Sequence, residues 1–203
     1  MGKKCKKWDI TLGLFFIFLG IFLFLSKSFY YNYLDRETTK KIDNYFENND
    51  SEVINNDTYS KEIKIKENDY IAVLEIPVIA LRKGLVAKNS KDNIVSKNIQ
   101  ILDDSDMPDV LKGTMYLAAH SGSSYISFFN NLNKVKNEDL IYIYYNHIKY
   151  IYKVVDIYEE IKTGTINFFK DESKTNLVLT TCSPGHKGYQ LIVVCELFDK
   201  NVY

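Results

Sequence analysis

Residues 10–25 run Ile-Thr-Leu-Gly-Leu-Phe-Phe-Ile-Phe-Leu-Gly-Ile-Phe-Leu-Phe-Leu without a single charge. No water-exposed fold hides a stretch that apolar on every helical face, so the chain must give it a bilayer or bury it completely. Lys3, Lys4, Lys6 and Lys7 precede it, and Ser26, Lys27 and Ser28 follow it. The run is slightly short of the ~20 residues a span usually needs. Trp8 on one side and Tyr30 and Tyr31 on the other extend it into the two interfaces, and Lys27 can snorkel. No small-x-small cleavage site follows, so the segment reads as a retained anchor rather than a removed signal peptide. The lysine cluster should stay cytoplasmic, which puts the remainder of the chain outside the cell. A cleaved signal peptide is the competing reading.

The remaining length suits one folded domain. Lys and Arg together number 26, as do Asp and Glu, so the net charge is zero. That argues against a nucleic-acid partner, which would demand a basic face for phosphates. Tyr (16) and Phe (12) are abundant, whereas Gly (9) and Pro (3) are scarce, a balance that favours strands. Four segments follow from these signals: a cytoplasmic stretch 1–9, a transmembrane anchor 10–30, a polar extracellular linker 31–66 and a folded domain 67–203. Within the linker, residues 37–47 suit a short helix, with Ile42, Tyr45 and Phe46 on one side, and 48–57 reads as a loop.

Strand signals dominate the folded domain. Runs at 70–76, 80–87, 98–102, 114–120, 140–145, 148–157, 176–182 and 189–195 read as strands, with a hairpin turn at Asn146-His147. Residues 121–124 suggest a helix N-cap, followed by Phe128, Phe129 and Leu132 at helical spacing. Residues 164–174 read as a mixed loop. The expected architecture is mainly β: a closed or half-closed eight-stranded barrel with short helices, preceded by one transmembrane helix.

Chemistry points to the strand ends. Cys182 closes the run 176–182, and His120 closes the run 114–120. A thiol and an imidazole at neighbouring strand ends suit nucleophilic catalysis. The three cysteines build no disulfide framework. Cys5 is on the cytoplasmic flank, and Cys195 stands about five residues up the next strand, roughly 17 Å beyond the turn. Cys195 reads as a small buried hydrophobe. His147 reads as a turn residue. His186, close to Cys182 in sequence, reads as a rim residue, and exchanging its role with that of His120 is the internal alternative. No tight His/Cys spacing suggests zinc. The acids Asp103, Asp104, Asp106 and Asp109 fit no calcium-loop spacing, so no metal or cofactor is expected.

The window Val178-Leu179-Thr180-Thr181-Cys182 resembles the Thr-Leu-x-Thr-Cys motif of the sortases, cysteine transpeptidases of Gram-positive surfaces. The window Leu117-Ala118-Ala119-His120 resembles the strand that ends on their catalytic His. The resemblance covers residues 71–197 and implies a sortase-like barrel with Cys182 as nucleophile, His120 as acid/base and Thr181 lining the site. It also implies an Arg at the start of the last strand, where this chain has Gln190. Gln190 is therefore expected to serve as the donor, with Lys187 bringing charge from the turn. Some sortases use calcium, which the acid spacing here does not support. The implied partners are exported proteins with a C-terminal sorting signal of the Leu-Pro-x-Thr-Gly kind and an amine acceptor, either a cell-wall precursor or a pilin Lys. The short insertion 158–176 and the lack of an Asp-Pro-aromatic lid resemble the compact, wall-anchoring sortases more than pilus polymerases. The rival readings are a weak pseudo-sortase acting as a membrane-tethered binding module, another extracellular cysteine peptidase, and a peptidoglycan L,D-transpeptidase. The Ser183-Pro184 after the Cys argues against the last of these.

Overall fold

The computed structural model describes residues 3–53, 70–166 and 173–203, with side chains described from residue 11 to 47 within the first element. The first element is a long helix, α1 (Lys3–Val53). It contains no Pro, and its stretch Thr11–Glu47 is long and apolar enough to cross a membrane, with none of its most apolar window buried. The helix continues without a break through residues 31–53, where the sequence suggested a polar connector with a short helix over 37–47. Residues 31–53 hold good helix formers and no Gly or Pro, so the helix has no local reason to stop. The rest of the expected linker, 54–66, lies outside the described residues, as do the side chains of Cys5 and Trp8.

The chain divides into two compact units, residues 1–40 and 41–203. In the second, the end of α1 contributes Ile42, which is buried, and an aromatic lock. Phe46 meets Tyr144 and Tyr203 edge to face, with Arg82 4.9 Å from its ring centroid. The Tyr45 hydroxyl donates to the Tyr144 carbonyl.

Eight strands follow: β1 (Tyr70–Ile76), β2 (Leu81–Val86), β3 (Gln100–Ile101), β4 (Thr114–Ala118), β5 (Leu140–Tyr145), β6 (Ile148–Ile161), β7 (Asn176–Cys182) and β8 (Tyr189–Val202). They form one sheet in the order β2-β1-β5-β6-β8-β7-β4-β3. The edge strands β2 and β3 touch, so the sheet curls into a nearly closed barrel. β1 and β2 hug each other because position 84 is Gly: a Cβ there would meet the Tyr70 ring at 2.1 Å. The β5–β6 hairpin turns on Asn146 and His147, both with positive φ (48° and 61°), the geometry that matches strand twist.

Alternation sorts the side chains onto two faces. Met115, Leu117, Leu177, Leu179, Leu191, Val193 and Cys195 point into the barrel core with Phe129 and Tyr152. Their alternates Val178, Ile192 and Val194 form a second apolar cluster on the outer face, with Tyr116, Tyr158 and Ile166 packed on it. That outer cluster is the floor beneath the candidate site.

Two expectations are revised here. β6 and β8 are longer than the apolar runs indicated, because they pair with each other from Ile148↔Val202 to Ile161↔Tyr189. Residues 125–132 are not helical. Their backbone closes in successive three-residue steps, Ser127 to Ser124, Asn130 to Ser127 and Leu132 to Phe129, ending in a 3₁₀ turn at Leu132–Lys134. The Asn130 side chain accepts from the Gly122 N–H and folds the segment back on itself. Phe129 and Leu132 still plug the core, so their spacing reports burial rather than a helix.

Candidate active site

β4 and β7 are the one parallel pair among the described strands, with Thr114 opposite Asn176 and Ala118 opposite Thr180. Further bonds carry the alignment past the ladder. The Ala119 N–H donates to the Thr180 carbonyl (3.3 Å), and Thr181 Oγ1 donates to the Ala119 carbonyl (2.8 Å) across 62 residues of sequence. Ser121 Oγ then donates to the Cys182 carbonyl at 2.7 Å. His120 lies two residues beyond the end of β4, and the same register extended to it pairs it with Cys182 at one strand spacing (about 4.8 Å between backbones).

Across the other edge of β7, Cys182 lies opposite Gln190, which lies opposite Glu160. Directly opposed residues share a face. Cys182, Gln190 and Glu160 therefore form one row across β7, β8 and β6, at the end of the outer apolar cluster, and the extended β4–β7 register brings His120 to its β4 side. Cys182 is exposed, whereas Gln190 is buried. Both amide hydrogens of Gln190 are engaged: Nε2 donates to Glu160 Oε1 and to the Thr165 carbonyl, each at 2.8 Å. Gln190 thus clamps the segment after β6 onto the sheet.

That segment brings a cation to the thiol. The Lys162 N–H donates to the Gly188 carbonyl, one step beyond the last β6–β8 pair. Its side chain lies on the Cys182 face, and Nζ donates to Cys182 Sγ at 3.6 Å. Gly188 has φ +87°, a turn conformation that costs a side-chain-bearing residue energy.

The alternate row faces the other way. Glu159 neighbours Glu160 and so projects to the opposite face. The Ser183 hydroxyl donates to Glu159 Oε1 (2.6 Å), and the His186 ring pairs with Glu159 Oε2. Ser183 first and His186 second hold the Glu159 carboxyl below its usual range. The Gly185 and His186 N–H groups both donate back to Ser183 Oγ, closing the β7–β8 turn. His186 is tied to the face away from Cys182, while His120 is brought alongside Cys182 by the β4–β7 register. Thr181 is buried on that other row, where it ties β7 to β4 rather than lining the site. Lys187 stands exposed in the turn.

Burial pushes the Cys195 thiol far above its ordinary range. Tyr158, on the site floor, is pushed up to about 12, first by burial and then by the Glu160 and Asp156 carboxylates. Among the described residues no three His, Cys, Asp or Glu side chains converge on a metal position. The acidic stretch after β3 is closed by the protein itself: Lys88 Nζ donates to the Asp103 and Ser105 carbonyls, and Asp106 Oδ2 accepts from the Thr114 N–H.

An eight-stranded, nearly closed barrel of this kind has known relatives. The family profile described as Sortase domain matches residues 74–198, more than half of the chain. The chain belongs to the sortase family. It is 25% identical over 118 residues to sortase A of Bacillus anthracis, covering 58% of this chain and 54% of that protein. The match thus spans about half the length of that relative. Among solved structures, sortase A from Corynebacterium diphtheriae superposes with a TM-score of 0.57 at 25% identity, covering 64% of this chain and 61% of that one. A Clostridium perfringens sortase D5 transpeptidase superposes with a TM-score of 0.60 at 21% identity, covering 80% and 98%, and so shares the fold.

The sequence pointed to Cys182, His120 and Gln190; the structure pairs Cys182 with Gln190, and His120 stands two residues past the end of β4, where the extended β4–β7 register leads to Cys182. This sortase barrel leaves Thr181 on the opposite row and Lys187 in the turn. Sequence reading missed Lys162, Glu160 and Ser121. The alternation Tyr158-Glu159-Glu160-Ile161-Lys162, set in register with β8, was the signal that would have found the first two.

Proposed function

We propose that this sortase is a membrane-anchored cysteine transpeptidase. It cleaves the C-terminal sorting signal of exported proteins and transfers the acyl part to an amine of the cell wall or a pilin. The observation that carries this reading is the exposed Cys182 thiol at the end of β7, with the parallel β4–β7 register leading, two residues past the end of β4, to His120. Cys182 thiolate adds to the scissile carbonyl carbon, and the oxygen takes up the negative charge. The C–N bond then breaks as His120 delivers a proton to the departing amine, leaving a thioester on Cys182. An acceptor amine adds to the thioester, gives its proton to His120 and expels the thiolate. Domain organisation follows the same reading: a short cytoplasmic N-terminus, an anchor within α1 and an extracellular barrel. His120 rather than His186 is the acid/base, because the Glu159 pair holds His186 to the opposite face.

A second reading has an observation of its own. The Gln190 amide is spent on Glu160 and Thr165 rather than turned to a substrate. That favours a slow enzyme or a binding module. Intact mass spectrometry of the full chain in detergent, incubated with Leu-Pro-x-Thr-Gly peptides, separates the two. A thioester adduct on Cys182 that hydroxylamine releases is the expected result. Peptide binding without any adduct would establish the binding module instead.

A further inference from the structure

We infer that Lys162 is a catalytic residue: its ammonium is the charged donor that holds the oxyanion formed when Cys182 attacks a carbonyl. The inference rests on the transpeptidase reading of the site.

The reaction needs positive charge near the carbonyl oxygen, because that oxygen becomes an alkoxide when the C–S bond forms. Gln190 does not supply it. The amide is neutral, and both of its hydrogens are donated to Glu160 and Thr165. Lys162 does. Nζ lies 3.6 Å from Sγ. The oxyanion sits on the carbon bonded to Sγ, so an ammonium at that distance reaches it with a small rotation of a flexible stem. Lys carries three donor hydrogens and no acceptor, so the group satisfies an alkoxide and repels nothing there.

The placement is built rather than accidental. The Lys162 backbone is fixed by its bond to the Gly188 carbonyl, and Gln190 pins the following residues through Thr165. Position 162 falls on the Cys182 face by the same alternation that puts Glu159 on the other. Glu160 lies two residues back on the same face, and its carboxylate accepts from the neutral Gln190 amide. The side chain is exposed in the absence of substrate. A bound peptide that covers it excludes water, which strengthens its pull on the oxyanion.

The test uses the full chain in detergent, internally quenched Leu-Pro-x-Thr-Gly peptides and hydroxylamine as acceptor. Lys162→Met should lower kcat by about 100-fold with KM near that of the wild type, as loss of an oxyanion donor does. Lys162→Arg, which keeps the charge, should stay within about tenfold of wild type. Thermal melting should be unchanged in both, since the side chain is exposed. An unchanged kcat in Lys162→Met, a loss confined to KM, or an Arg variant as slow as the Met variant would each overturn the inference while leaving the transpeptidase reading intact. A wild-type chain that forms no thioester with any of the peptides would overturn both.

Discussion

Glu159 and Glu160 are neighbours in sequence with the same side chain, and the sheet gives them unrelated work. Glu160 falls on the face of Cys182, where it grips Gln190. Glu159 falls on the other face, where it holds Ser183 and His186 and shapes the turn. The residue type did not decide these roles. Strand alternation did, and it divides the whole end of the barrel into a reactive row and a bracing row. Nearness in sequence to Cys182 is therefore a poor guide to chemistry here: His186 is near in sequence and is held by Glu159, while His120 is distant and is brought alongside by the β4–β7 register.

The largest test of this division exchanges the two histidines. His120→Ala should lower thioester formation by about 100-fold to 10⁴-fold, the usual worth of a positioned acid/base. His186→Ala should change it by less than about threefold, and single-turnover kinetics on the full chain would measure both. Equal losses would erase the distinction between the rows. The two cysteines sharpen the same contrast. Cys182 is exposed, while Cys195 is fully buried and its thiol is held protonated by burial. Of the two barrel cysteines, iodoacetamide should modify Cys182 in the folded protein and Cys195 only after denaturation, as read by peptide mass mapping.

A smaller effect is expected at Gln190. Gln190→Ala removes two buried donors and leaves the Thr165 carbonyl and Glu160 without them, which should cost about 1–3 kcal/mol of stability in urea unfolding. The smallest effect concerns the bracing row. The Glu159 carboxyl is held below its ordinary range, so the pair's contribution is present above that range and is lost as pH falls through the lowered value. Glu159→Gln should therefore melt slightly lower than wild type near neutral pH, and the two curves should converge in acid.

Much of the barrel was legible because strand signals are local. Aromatic and β-branched runs marked all eight strands, and Asn146-His147 marked the hairpin turn. The position of Cys182 at a strand end followed from the same runs, whereas β4 stops at Ala118 and leaves His120 two residues past its end. What escaped the sequence was set by partners. β6 runs on to Ile161 through the charged Glu159 and Glu160 because β8 pairs with it, not because those residues favour strands. Phe128, Phe129 and Leu132 mimicked a helix because a looped segment can also present apolar residues to a core at that spacing. The helix that continues to Val53 carries a polar stretch, and polarity alone was read as a stop. Thr181 was placed in the site by its proximity to Cys182, although adjacent strand residues point apart. Lys162 belongs to no motif, and only the register of β6 against β8 reveals where its side chain goes.

The parallel pairing of β4 with β7 also governs when the site comes into being. His120 and Cys182 meet only after a contact across some 62 residues has closed, and such long closures are slow steps of folding. A chain in which that seam has not closed carries Cys182 apart from His120. Assembly of the candidate site thus depends on the β4–β7 seam, and heat or denaturant that opens this seam should part His120 from Cys182.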